Sequence, residues 1–72
     1  MDTKSGRFNS IEAFRRHGET AGIASSRGDE AGNRWERDWL RKALAIEPPD
    51  YRAAARQAFD DAYRAATASR IR

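Results

Sequence analysis

The 72-residue sequence contains no cysteine and a single histidine, His17. Disulfides and thiolate metal sites are excluded, and no second imidazole is present to share a metal, so neither a metal set nor a cofactor is expected. Long apolar runs are missing as well. The longest fall far short of the roughly 20 residues a membrane helix needs, and no apolar stretch of a signal peptide follows Met1, which predicts a cytoplasmic protein with no membrane partner. Proline is scarce, and both residues stand together at Pro48 and Pro49. Concentrated charge of one sign is absent too. Residues 1–28 carry five basic and three acidic groups, residues 29–47 four and five, and residues 48–72 five and three, so the net +3 is spread out and no segment is a basic arm.

What is present in excess is alanine, fourteen residues, and arginine, twelve of the fourteen basic ones. That bias fits a GC-rich bacterial, phage or plasmid gene. The Met1 start without a tag leads us to expect a complete small reading frame. A chain of this length is a single domain, residues 1–72, and buries a smaller share of its surface than a larger one. With disulfides and metals excluded, association is the remaining source of extra stability.

Three helical stretches are legible. After Pro48, Pro49 and Asp50, the residues Tyr51, Ala55, Ala58, Phe59, Ala62, Tyr63 and Ala66 recur on one helix face, and eight of residues 51–68 are alanine, the strongest helix former. Opposite that face Arg56, Asp60 and Arg64 follow at four-residue steps. From Asp29 to Ile46 a second helix places Trp35, Trp39, Leu40, Ala43 and Ile46 on one half of its circumference and Arg34, Arg37, Asp38 and Arg41 on the other. Asn9 with Glu12 three residues later reads as a capping box that starts a first helix carrying Ile11 and Phe14.

The connection between the first two stretches has two readings. Ile11, Phe14, Gly18, Ala21, Ser25, Gly28, Gly32, Trp35 and Trp39 step alternately by three and four, an unbroken heptad register with small residues in its middle. It fits one long helix from Asn9 to Ile46 that packs as a hairpin on the last helix. It fits equally a break at Gly28 with Asp29 as a new cap. The fold class is thus all-α, either a small three-helix bundle (helices about 10–27, 29–46 and 51–69, residues 1–8 and 70–72 frayed) or a long helical hairpin, with a Gly/Ala/Ser packing seam in both.

No catalytic constellation emerges. His17 reads as a solvent-facing residue, Ser25 and Ser26 lack a spaced histidine and acid, and neighbours such as Asp60 and Asp61 point about 100° apart on a helix. The Gly-x-x-x-Gly spacings, Gly18 with Gly22 and Gly28 with Gly32, read as close packing in a soluble hairpin because no apolar span surrounds them. Arg27, Gly28 and Asp29 read as helix-break chemistry. The candidate partner-binding residues are Trp35 and Trp39, either core or interface, the stripe Arg34, Arg37 and Arg41, and the pair Arg15 and Arg16, since tryptophan and arginine are enriched where proteins bind one another. The large apolar residues exceed what a thin hairpin can bury. These features predict a small non-catalytic interaction protein, with a homodimer as one form, that binds a larger protein and regulates or inhibits it, as a phage- or plasmid-borne inhibitor of a host system would. The second reading is a nucleic-acid-associated protein using the arginines of the middle helix.

Overall fold

A computed structural model of the chain describes residues 8–71, with side chains described for residues 8–68. It contains α1 (Ile11–Ser26), α2 (Glu30–Ala45) and α3 (Pro49–Ile71). Of the two backbones open to the sequence, the three-helix form is the one adopted.

Local chemistry sets each boundary. Ser10 is extended and its Oγ accepts a hydrogen bond from the Ala13 amide at 3.1 Å, so Ser10 caps α1. The expected Asn9–Glu12 box is not used, because the Asn9 amides donate to Glu47 instead and Glu12 contacts Arg15. At the other end the Asp29 amide reaches back to the Ala24 carbonyl at 2.8 Å and the Gly28 amide to Ser25 at 3.2 Å, with Gly28 at φ 76°. This paired closure needs a left-handed residue, which glycine adopts without the strain of a Cβ. Asp29 then caps α2 by accepting from the Gly32 amide at 2.9 Å. The Pro48 carbonyl receives the Tyr51 and Arg52 amides, and Pro49 opens α3 in a position where no N–H is required.

The expected fraying of residues 1–7 and 72 lies outside the described residues. At Phe8 the backbone is tied down by Glu47, and α3 continues to Ile71, past the expected end at residue 69.

α1 lies between the other two helices, packing most extensively on α3 and less on α2, while α2 and α3 touch each other little. α2 runs antiparallel to α1, since Glu36 meets His17 at mid-helix and Glu47 meets Asn9 at the start of α1. α3 runs parallel to α1: the Tyr51 hydroxyl donates to the Asn9 carbonyl, Phe59 passes Gly18, and Tyr63 with Ala66 passes Gly22. The small-residue seam is real within α1. A Cβ on Gly18 would stand 2.9 Å from the Cα and carbonyl carbon of Phe59 and closer still to its carbonyl oxygen, and one on Gly22 2.7 Å from the Tyr63 carbonyl oxygen. The heptad does not continue through Gly28 and Gly32. Gly28 turns the chain in open space, and a Cβ on Gly32 would meet the Asp29 side chain that caps α2, so this pair serves the turn and not helix packing.

The core consists of Phe14, Ala21, Leu40, Ala43, Tyr51, Ala55, Ala58 and Phe59, flanked by Ile11, Trp39, Leu44 and Tyr63. The expected α3 stripe supplies half of it. α2 departs from expectation. Its buried residues are Glu36, Leu40 and Ala43, continued past its end by Glu47. At 100° per residue the buried face is rotated by roughly 60° from the apolar one. Trp35 and Ile46 are consequently 60% and 55% exposed, and Trp39 is half-buried.

Candidate partner-binding surface

Because α1 holds α2 and α3 apart, a groove of about 600 Å³ opens between them. Leu40, Leu44 and Ala45 form its apolar floor, and Arg37, Arg41, Arg52 and Arg56 line it; among the described residues no carboxylate does. Each arginine is held in place by its own helix or the adjoining turn. Arg37 Nε donates to Asn33 Oδ1 at 3.2 Å and its guanidinium lies 4.8 Å from the centre of the Tyr63 ring. Arg41 contacts Asp38, which Lys42 also approaches at 3.2 Å, and Arg56 stands 4.0 Å from Asp60. Arg52 Nε donates to the carbonyls of Leu44 and Glu47 at 2.8 and 2.9 Å, and its NH2 to Ala45 at 3.3 Å. The Leu44 and Ala45 carbonyls belong to the last turn of α2, where i+4 amide partners run out, and a cation there also suits the helix dipole.

Two titrating groups respond to this arrangement. The Tyr63 phenol is held below the ordinary tyrosine value of 10.0, first by a hydrogen bond with Ser25 and next by one with Arg37. Asp38 is held below the ordinary carboxylate value, chiefly by its hydrogen bond from Lys42.

The sequence-predicted site residues divide among four places. Arg37 and Arg41 share the groove. Arg34 and Trp35 lie together on the outer face of α2 with Ala31 and Asp38. Arg15 lines a separate shallow groove between α1 and α3 with Glu19, Asp61, Ala62, Ala65 and Ala66, and Arg16 is exposed on α1. Trp39 packs on Phe14 with ring centres 5.3 Å apart and belongs to the edge of the core.

His17 is not solvent-facing. Its Nδ1 lies 2.6 Å from Glu36 Oε1, and a carboxylate only accepts, so the Nδ1 proton is donated. Its ring stacks on Trp39 at 3.6 Å and 13°, with Trp35 6.2 Å away on a near-parallel plane. The pair fixes α2 on α1 and gives the 8%-exposed Glu36 its partner. His17 lines neither groove, and no group of three or more His, Asp or Glu residues among the described ones converges as a metal set would require.

The second buried carboxylate is Glu47, 2% exposed, which accepts the Phe8 amide at 3.0 Å, the Asn9 amide at 2.7 Å and Asn9 Nδ2 at 3.2 Å. It gathers the start of α1 onto the α2–α3 corner. Sequence reasoning missed this residue, and it missed Arg52 and Arg56 as neighbours of Arg37 and Arg41. Glu36, Leu40, Ala43 and Glu47 do follow helical steps of four, three and four, a register that was readable had acids been allowed inside. The arginine juxtaposition had no such signal, because it depends on which side of α1 the third helix takes.

Among the described residues no helix is long and apolar enough to cross a membrane. No family model, curated protein or solved structure matches this chain.

Proposed function

We propose that this protein is a non-catalytic helical binding module that docks a larger protein on the side formed by α2 and the first turns of α3, and so regulates or inhibits it. The observation that carries this reading is the α2–α3 groove, where four arginines surround an apolar floor with no carboxylate in the lining among the described residues. Arginine set around apolar surface is the composition of interface hot spots, and grooves of this volume between helices are common binding places. The exposed Trp35, Ile46 and Phe8 add apolar surface for association, with a second copy of the chain as one partner. The arginine and alanine bias fits a GC-rich bacterial, phage or plasmid gene, and a phage- or plasmid-borne inhibitor of a host system is the form of regulator we propose.

The test is quantitative affinity capture from the source cell with three baits: the wild type, an Arg37→Gln/Arg41→Gln variant, and an Arg15→Gln/Arg16→Gln control. A protein retained by the wild type and the control but lost with the groove variant is the expected result. Equal retention by all three baits moves the site elsewhere on the molecule.

The groove arginines also support the second reading, contact with nucleic-acid phosphates. Four such contacts would give log–log salt dependence with a slope of about −3.6 for duplex DNA, so nuclease-sensitive capture with that slope would replace the protein-binding reading.

A further inference from the structure

We infer that the occupant of the α2–α3 groove is an acidic amphipathic segment that binds as a short helix and stands as a fourth helix beside α2 and α3. This rests on the reading of that side as a protein-binding surface and goes further by naming the chemistry of what binds.

Shape comes first. α1 touches both neighbours while α2 and α3 scarcely meet, so three corners of a four-helix arrangement are occupied and the fourth is the groove. On α2 the lining runs from Arg37 to Ala45, about 12 Å at 1.5 Å per residue, which matches about two turns of an incoming helix. The floor of Leu40, Leu44 and Ala45 calls for two or three apolar side chains spaced i, i+3 or i+4, and i+7 on that helix.

Charge names the rest of the occupant. Arg37, Arg41, Arg52 and Arg56 are all cationic and line the groove without an acid between them among the described residues. A guanidinium has five N–H donors, so Arg41 and Arg56 can take an incoming carboxylate while keeping Asp38 and Asp60. Arg52 already serves the carbonyls of Leu44, Ala45 and Glu47, which leaves Arg37, Arg41 and Arg56 as the recognition set. Carboxylates fit better than a phosphate backbone on two counts. Asp38 and Asp60 beside the arginines moderate the local field, and a phosphate chain has nothing to offer the leucine floor.

The experiment is selection of a random 15-residue peptide library on the immobilised protein, followed by affinity measurement of the recovered peptides on the wild type and on an Arg41→Gln/Arg56→Gln variant. Both positions are exposed, and unchanged circular dichroism confirms that the variant is folded. The expected winners carry Asp or Glu on one helical face and Leu, Ile or Phe on the other, gain helicity on binding, and bind the variant at least tenfold more weakly. Winners without acidic enrichment that still bind the variant tenfold more weakly would overturn the acidic occupant and leave protein docking in this groove standing. Winners that bind wild type and variant equally, or no winners, would overturn both. Displacement of the winners by a single-stranded oligonucleotide at lower concentration than by an acidic peptide would overturn the inference in favour of nucleic acid.

Discussion

Replacing Gly18 by alanine is expected to destabilise the protein even though alanine is the better helix former. Gly18 lies inside α1, where the exchange gains about 1 kcal/mol of helix propensity. The new Cβ would stand 2.9 Å from the Cα and carbonyl carbon of Phe59, against the 3.4 Å at which ordinary contact begins. The obstacle is backbone in the middle of α3, so no side chain can swing away, and α1 and α3 must separate along their whole shared seam. Overpacking of this kind costs about 3 kcal/mol, the upper part of the usual range, for a net loss of about 2 kcal/mol. At about 4–8 °C per kcal/mol for a domain of this size, Tm falls by about 8–16 °C. Thermal and urea unfolding followed by circular dichroism measures it, with Thr20→Ala as an exposed control that changes propensity without a clash. A Gly18→Ala protein as stable as the wild type, or more so, would refute the close α1–α3 approach on which the fold description rests.

Four further outcomes follow from the same geometry. Glu47→Gln places an NH2 where one carboxylate oxygen now accepts, either Oε1 from the Phe8 amide or Oε2 from the Asn9 amides, and chemical denaturation should report a loss of about 2–3 kcal/mol. His17→Ala leaves Glu36 buried and unpaired and should cost about 2 kcal/mol; in a double-mutant cycle with Glu36→Ala the two losses should fall short of additive by at least about 0.5 kcal/mol. Trp39→Ala should lower stability by about 2–3 kcal/mol because the indole packs on Phe14 and His17, whereas Trp35→Ala should cost less than about 0.5 kcal/mol. The phenol of Tyr63 titrates below the unfolded value of 10.0, so its contribution to stability is complete above that value and is lost as pH falls through the folded one; phenolate absorbance should show its midpoint rising towards 10.0 in Arg37→Gln.

Much of the fold was legible because its causes are local. The Tyr51 to Ala66 stripe and the Pro48–Pro49 start depend on neighbouring residues and stand where the spacing put them, while the Gly28–Asp29 break was one of two readings and is the one adopted. The orientation of α2 was not legible for one physical reason. Hydrophobic periodicity assigns acids to the outside, while Glu36 and Glu47 are buried because His17 and the amides of Phe8 and Asn9 satisfy them, and those partners lie on α1 or just before it. The same long-range pairing withdrew Asn9 from its expected cap. Of the candidate surface, the arginines of α2 could be read, but their union with Arg52 and Arg56 required knowing that α3 runs parallel to α1.

That parallel arrangement separates the work of folding from the work of display. The largest interface joins the first and third helices across about 40 intervening positions, so α2 acts towards it as a tether whose length enters only logarithmically. Doubling the tether would cost about 0.6 kcal/mol, so the turn at Gly28 and Asp29 should tolerate insertions. The outer two-thirds of α2, which bears Arg34, Trp35, Arg37, Asp38 and Arg41, can then change its residues almost independently of the Gly18–Phe59 crossing. A scaffold of this kind could be given a new surface without being given a new core.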